Sequence, residues 1–397
     1  MNDEHPTNST DPWESEMSRE FDKRVRDLHE APLTFENVKG KAMTIRRNRR
    51  IAVAGGVLAV AAVIVPVAVF AGDGLGRTDE RPDFAPSPTQ GVDPTPSEPP
   101  AGTPRDLSFL EGKTWHRTDG STVELDTRYD GGTELGDDLL AVRQDDRARL
   151  IIDVIDSEGG VMESLDALSY PVAGADEAAA AYVDRDGDLA IYTGDGNSFS
   201  MASGFVDGDS VVAVTGDGCA AGGANCQVFI SHGDGSDPES VSSEGVRVVV
   251  APGAYKLNDV SPEGLVAAQT SFSDAGSCSS VTEPDGAPVF ETCAYSFENF
   301  SPDSTYVSGT DAYRDGIGQS YVVILDAATG DEVARWDGTD GFARNWVWED
   351  ETHLLIVAYE QGEWRVHRLG VDGSTDVVLA STKGDDVTPP FVLLGAS

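Results

Sequence analysis

The stretch NFSPDSTYVSGTDAYRDGIGQSYVVILDAATGDEVARW, from Asn299 to Trp336, decides the fold. It contains three short runs rich in β-branched and aromatic residues, at Tyr306–Gly309, Tyr321–Leu325 and Glu332–Trp336. Turns of Ser, Pro, Asp, Thr and Gly separate these runs, which is the pattern of short antiparallel strands. From residue 106 onward no segment shows clear helical spacing of its apolar residues, so the sequence predicts an all-β domain.

The same order of strands and turns recurs along the chain. It follows directly in NWVWEDETHLLIVAYEQGEWRVHRLGVDGSTDVVL, from Asn345 to Leu379, and an earlier unit begins at Val260. The apolar centre of the second strand of each unit is placed at Leu139, Ala179, Val211, Leu265, Tyr306 and Leu354. Their mean spacing is roughly 43 residues, which is the period of four-stranded propeller blades.

Six such units leave residues over at both ends of the domain. Lys113–Arg117 and Ser121–Leu125 have the pattern of a hairpin, and Phe391–Leu394 that of a single strand. In one sheet they would form a seventh, composite blade that closes the ring. The sequence therefore predicts a β-propeller of about seven four-stranded blades over residues 106–397.

An uncharged apolar run precedes this domain at residues 51–72, directly after four arginines between positions 46 and 50. At about 1.5 Å per residue the run is long enough to cross the roughly 30 Å hydrocarbon core of a membrane. The arginines then predict that residues 1–50 are cytoplasmic and that the rest is outside the cell membrane. A cleaved signal peptide ending near Val69-Phe70-Ala71 is the alternative, but its apolar region would span only ~7–15 residues. We expect a single uncleaved transmembrane helix.

The segments on either side of this span differ in composition. Residues 73–105 are dense in Pro, Ser, Thr and Gly, which predicts a disordered, semi-extended linker. Residues 1–50 predict short amphipathic helices, one with an apolar stripe formed by Trp13, Met17, Phe21, Val25 and Leu28. Because so short a segment cannot bury a core alone, the stripe needs a partner: a cytoplasmic protein, the other helix or the inner membrane face.

The charge of the chain is strongly uneven. Its formal net charge is −41, and residues 1–50 contain equal numbers of acidic and basic side chains, so the whole excess lies beyond Arg50. An acidic exterior disfavours nucleic acid and anionic lipid head groups as partners of the outer domain. It is compatible with cations, with basic protein surfaces or with a merely solvated surface.

The four cysteines, Cys219, Cys226, Cys278 and Cys293, all lie beyond the predicted span. An even number of cysteines in an oxidising compartment predicts two disulfides, with three possible connectivities. We favour Cys219–Cys226 and Cys278–Cys293, because each pair closes a loop within one supersecondary unit. A zinc site is disfavoured, since the chain has no CxxC pair.

Sequence motifs for catalysis are absent from the chain. It has no nucleophile elbow, HExxH, P-loop or dinucleotide fingerprint, so no catalytic residue and no cofactor is predicted. Asp184, Asp186 and Asp188 alternate around a glycine and are candidate Ca²⁺ ligands, although a hairpin turn explains the same residues.

Aromatic residues cluster in the last full unit, where Trp346, Trp348 and Trp364 lie near Tyr359. Large side chains of this kind pack between the blades of a propeller. The alternative is a recognition patch at the ring's face or central mouth, where loops of several blades converge.

The turn at Ser301–Ser304 and the stretch VVILDAATGDEVARW, residues 322–336, resemble WD40-like and TolB-type propeller repeats over residues 110–395. The layout of tail, Arg-rich stop, span, Pro-rich stalk and propeller is similar to that of actinobacterial-type single-pass membrane proteins. LTFENVKGKAMTIRRNRR, residues 33–50, looks like the juxtamembrane segment of such proteins, some of which are associated with extracytoplasmic-function sigma factors.

These features together suggest a membrane-anchored, non-enzymatic binding or sensing module that takes a protein or small ligand at the propeller face. A second hypothesis is an anti-sigma-like transmembrane regulator whose tail binds a cytoplasmic partner. A third is an extracytoplasmic hydrolase or lyase on a propeller scaffold.

Overall fold

The computed structural model describes residues 108–394, except residues 176, 217, 222, 224, 275, 314, 315 and 339. In this part the chain forms 28 strands in seven four-stranded sheets, together with one 3₁₀ turn at Cys219–Ala221. The all-β prediction is therefore confirmed for the described residues. None of their helical segments is long and apolar enough to cross a membrane. The predicted tail, span and linker, residues 1–105, lie outside them.

The strands follow one another along the chain in groups that each form one blade. The first three strands are β1 (Ser108–Glu111), β2 (Thr114–His116) and β3 (Thr122–Glu124). Blade 1 contains β4 (Gly131–Leu135), β5 (Asp138–Gln144), β6 (Leu150–Ile155) and β7 (Val161–Ala167). Blade 2 contains β8 (Val172–Ala173), β9 (Ala179–Val183), β10 (Asp188–Thr193) and β11 (Ser198–Ser203). Blade 3 contains β12 (Ser210–Thr215), β13 (Gln227–Ser231), β14 (Glu239–Ser242) and β15 (Arg247–Val249).

The second half of the domain continues in the same way. Blade 4 contains β16 (Lys256–Val260), β17 (Val266–Ser273), β18 (Gly276–Thr282) and β19 (Pro288–Thr292). Blade 5 contains β20 (Tyr295–Phe300), β21 (Tyr306–Asp311), β22 (Tyr321–Asp326) and β23 (Glu332–Asp337). Blade 6 contains β24 (Gly341–Trp348), β25 (His353–Glu360), β26 (Glu363–Gly370) and β27 (Thr375–Lys383). The last strand is β28 (Phe391–Leu394).

The two ends of the domain meet in a composite blade 7, with the strand order β28-β1-β2-β3. Strands β1 and β28 pair antiparallel, with Ser108 opposite Leu394. The innermost strands of neighbouring blades contact each other around the whole ring, from β4 to β28 and back to β4. The predicted seven-blade propeller with a composite closing blade is confirmed. Sequence analysis missed β1, because its four residues directly follow the predicted linker.

Two predicted strand positions differ from the structure: Leu265 lies one residue before β17, and Val211 is not in a second strand. Val211 was expected at the centre of a second strand, but it lies in β12, the innermost strand of blade 3. The reason is the long connection from Thr215 to Gln227, which separates the first two strands of this blade and shifts the repeat.

The core consists of seven buried clusters, one at each interface between neighbouring blades of the described domain. The second and third strands of a blade are covered on both faces, so they form continuous apolar runs such as Leu354–Ala358. Full burial of each such side chain contributes about 1.5–3 kcal/mol. No blade could bury these residues alone, and the ring is therefore the stable unit.

Because neighbouring strands within each blade run antiparallel, successive loops emerge alternately on two opposite faces of the ring. One, here called the connection face, carries the loops between the second and third strands and the segments that lead from one blade to the next. The opposite, terminal face carries the remaining hairpin loops and both ends of the described domain, Ser108 and Leu394.

Candidate binding face

Two exposed aromatic residues stack on each other on the connection face of blade 4. Tyr255 precedes β16 and Phe272 lies near the end of β17; their ring centroids are 5.8 Å apart at an interplanar angle of 17°. Tyr255 is 50% exposed and Phe272 is 61% exposed. Large exposed aromatics in contact with each other are typical of recognition surfaces. We call these two residues the aromatic pair.

The backbone under the aromatic pair is held by hydrogen bonds between loops. The Tyr255 N–H donates to the Gln269 carbonyl at 2.8 Å, which extends the β16–β17 ladder. The Gly253 N–H donates to Asp237 Oδ1 at 2.7 Å, which ties the connection before β16 to the β13–β14 loop. The aromatic pair therefore stands on loops that are fixed before any ligand binds.

Blade 5 braces the same region from the other side. Phe272 lies opposite Ser277 in the β17–β18 ladder. Both the N–H and the hydroxyl of Ser277 donate to the Ala312 carbonyl at 2.9 Å, in the β21–β22 loop. Tyr313, which follows Ala312, is a further exposed aromatic residue of the β21–β22 loop.

Both predicted disulfides are present, with the favoured connectivity. Cys278–Cys293 joins the start of β18 to the connection that follows β19, next to Ser277 and so close to the aromatic pair. Cys219–Cys226 lies on the terminal face and closes the long β12–β13 connection. Only the first of these disulfides stiffens the candidate binding face.

Several aspartates belong to the segments that adjoin the aromatic pair. Among the described residues, Asp234, Asp237 and Asp274 lie in the adjoining loops and Asp311 ends β21, with Lys256 as a base next to Tyr255. Hydrogen bonds from the Ser236 side chain and backbone N–H lower the pKa of Asp234, so it is charged at neutral pH. The face around the aromatic pair is thus apolar at its centre and predominantly acidic at its edge.

A partly buried group of titratable side chains lies nearby in blade 3, and these side chains pair with one another. His232 Nδ1 is 3.1 Å from Asp209 Oδ1, and its Nε2 is 3.6 Å from Glu239 Oε1. Because both ring nitrogens face carboxylates of the protein, neither is directed at a substrate as a general base. This group therefore does not favour the hydrolase hypothesis.

Asp259 is the carboxyl whose environment changes its pKa most clearly. It is 2% exposed, and burial raises its pKa to about 7, although backbone N–H groups of Phe300 and Val260 oppose this. Its Oδ2 accepts from the Phe300 N–H at 2.6 Å and its Oδ1 from the Val260 N–H at 2.8 Å. The carboxyl thus joins the innermost strands of blades 4 and 5 and is enclosed away from any ligand.

The predicted tryptophan cluster packs between blades. Trp346 donates from Nε1 to Ser308 Oγ at 3.2 Å, and Trp348 to the Asn299 carbonyl at 3.1 Å, so both anchor blade 6 to blade 5. Trp364 is fully buried between blades 6 and 7. The packing interpretation is confirmed, and the recognition-patch interpretation of these three residues is wrong.

The candidate Ca²⁺ ligands form the β9–β10 turn. Asp184 Oδ1 accepts hydrogen bonds from the backbone N–H groups of Asp186 and Asp188, each at 2.9 Å. Gly187 has φ of +83°, which a glycine adopts without strain. Across the described residues, no group of three or more His, Cys, Asp or Glu side chains is arranged to hold a metal ion. The structure thus accounts for these aspartates as a turn, and their binding of Ca²⁺ stays a prediction.

The remaining predicted site residues, Trp13, Met17, Phe21, Val25 and Leu28, lie outside the described residues. In contrast, sequence reasoning missed the aromatic pair. The available signal was one aromatic residue within a polar run beside a turn, as in QTSFSDAG around Phe272. Such a pattern does not reveal that a second aromatic residue from another loop stacks on it.

No protein-family model matches this chain, and no curated protein matches it. Solved structures similar to it include BamB from Moraxella catarrhalis, with 14% identity, TM-score 0.41 and coverage of 70% of this chain and 82% of that one. The β-propeller domain of Cps50 (Swd1) from Myceliophteria thermophila has 11% identity, TM-score 0.44 and coverage of 65% and 87%. A chain from a mitotic checkpoint complex has 9% identity, TM-score 0.47 and coverage of 78% and 90%. These similarities do not assign a function. The propeller fold is assigned from the strand order and ring closure described above.

Proposed function

We propose that the protein is a membrane-anchored, extracytoplasmic propeller that acts as a non-enzymatic binding or sensing module, with the aromatic pair in its binding surface. The observation that supports a binding role is the exposed stack of Tyr255 and Phe272 on loops braced by blades 3 and 5. An exposed apolar surface costs solubility, and proteins keep such surfaces where a partner covers them.

The anchor in this proposal rests on the sequence of residues 46–72. Its orientation can be tested with single cysteines, because all four native cysteines are paired. We expect a membrane-impermeant maleimide to label Ser87→Cys in intact cells, but Ser9→Cys only after lysis. Equal labelling of both positions in intact cells contradicts the orientation.

The binding role can be tested by thermal unfolding of the full-length protein. The melting temperature is measured with and without basic peptides, neutral oligosaccharides, nucleotides and divalent cations. We expect one class to raise the melting temperature of the wild type but not that of Tyr255→Ala with Phe272→Ala. Turnover of ester or glycoside substrates would instead favour the hydrolase hypothesis.

The amphipathic stripe in the tail favours a second function, that of a transmembrane regulator. In the predicted helix, Phe21 and Leu28 would lie about two turns apart on the apolar face, which suits a helix that docks in a groove of a cytoplasmic partner. The two functions are compatible, since a sensing domain outside needs an output inside.

A further inference from the structure

We propose that the aromatic pair binds an arginine- or lysine-containing peptide segment of a partner protein. This inference rests on the proposed binding function and specifies the chemistry of the partner. It follows from three observations: the charge of the domain, the way in which the propeller holds its own arginines, and the fixed geometry of the surface.

The charge of the domain selects for a cationic partner. Residues 108–394 contain 52 Asp and Glu against 15 Lys and Arg. Around the aromatic pair this excess persists among the described residues, with three aspartates in the adjoining loops and Asp311 at the end of β21. A nucleic acid, a phospholipid surface or an acidic peptide would be repelled, whereas a basic segment gains both attraction and a faster association rate.

The propeller binds its own arginines with the same two kinds of group. The described cation–π contacts are Arg117 over Trp115 at 4.8 Å, Arg247 over Phe205 at 4.3 Å and Arg335 over Tyr321 at 4.2 Å. In each case the same guanidinium also meets a carboxylate, at 3.1 Å, 3.0 Å and 2.6 Å respectively. An aromatic ring with a nearby carboxylate is thus the arrangement by which this fold repeatedly holds a guanidinium.

Among the residues that the structure describes, the aromatic pair has no arginine over its rings. Asp274 lies two residues beyond Phe272 and is exposed. The hydrogen bond from the Gly253 N–H to Asp237 and the nearby Cys278–Cys293 disulfide hold the loops in place before a partner binds. Little conformational entropy is therefore lost on binding. A neutral sugar would also stack on the rings and could donate hydroxyl hydrogen bonds to the carboxylates, but it would gain no charge attraction from them.

The test uses the full-length protein in detergent and a fluorescein-labelled peptide of four arginines separated by Gly and Ser. A peptide with citrulline in place of arginine keeps the shape and removes the charge. We expect fluorescence anisotropy at low salt to show binding of the arginine peptide at least tenfold tighter than that of the citrulline peptide. Phe272→Ala should weaken it about three- to fivefold, and Asp274→Asn about twofold.

Tyr170→Ala is the matched control, because Tyr170 is also exposed on the connection face but lies between blades 1 and 2. Phe272 and Tyr170 both lie outside the buried core, and thermal melts check that each variant is folded. If Tyr170→Ala weakens binding as much as Phe272→Ala does, attraction is spread over the whole acidic surface and the proposed site is overturned.

Two further outcomes separate this inference from the proposed function. Binding of maltoheptaose or chitotetraose that Phe272→Ala abolishes, without binding of the arginine peptide, overturns the basic partner and leaves the binding module in place. If no probe binds and the variants change nothing, both proposals fail.

Discussion

Asp259 provides a quantitative test of the fold, because its carboxyl is enclosed between blades 4 and 5 with only backbone donors as hydrogen-bond partners. Its pKa is raised from 3.8 to about 7 by burial. Between these values the folded state holds a proton that the unfolded state has released. The free energy of unfolding therefore falls as the pH rises through this window, and it levels off above about pH 7.

The size of this change in the free energy of unfolding follows from the difference between the two pKa values of Asp259. Each pKa unit corresponds to about 1.4 kcal/mol, so the full loss is on the order of 4 kcal/mol and the loss between pH 5 and pH 8 is about 3 kcal/mol. Asp259→Asn removes the titration. At pH 5 the wild-type carboxyl is itself protonated and its hydroxyl oxygen is a weak acceptor, whereas the amide NH2 accepts no hydrogen bond, so we expect the variant to be about 1–2 kcal/mol less stable there.

The assay is urea unfolding at pH 5 and pH 8, followed by tryptophan fluorescence with the disulfides intact. All other carboxyls titrate alike in both proteins, so the difference between wild type and variant isolates Asp259. We expect the stability advantage of the wild type at pH 5 to shrink or reverse at pH 8. Parallel pH dependence of the two proteins would show that Asp259 does not titrate in this window and would refute the reasoning.

Three further predictions concern the disulfide, the blade interface and the tail. Replacing Cys278 and Cys293 by serine should lower the free energy of unfolding by about 3 kcal/mol and weaken ligand binding at the aromatic pair. The matching double variant of the other disulfide should spare binding, and equal loss in both would contradict the local role. Trp346→Phe removes the indole bond to blade 5 and should cost about 1–2 kcal/mol in urea unfolding; an unchanged midpoint would refute the anchoring role. Phe21→Asp with Leu28→Asp should abolish crosslinked capture of a cytoplasmic partner from native cells, and unchanged capture contradicts the regulator hypothesis.

Sequence patterns predicted the propeller because each blade is specified by residues that are close together in the chain. The turn chemistry and apolar runs between Asn299 and Trp336 specify one blade, and repetition of that unit specifies a ring. The disulfides were predictable for the same reason, since each closes a short loop. The error at Val211 arose where a long connection interrupts the repeat, because spacing then no longer reports strand position.

The sequence by itself determined the all-β class and the blade period and favoured the correct cysteine pairing, because these depend on residues close together in the chain. It also predicted the composite closure, because strand patterns are left over at both ends of the domain. Only the tertiary structure decided which aromatic residues are available to a partner. Trp346 and Trp348 are covered because the adjacent blade packs on them. Tyr255 and Phe272 are exposed and stacked because the segment before β16 and the end of β17 meet at the connection face. Exposure is a property of the assembled ring, and no local pattern of residues encodes it.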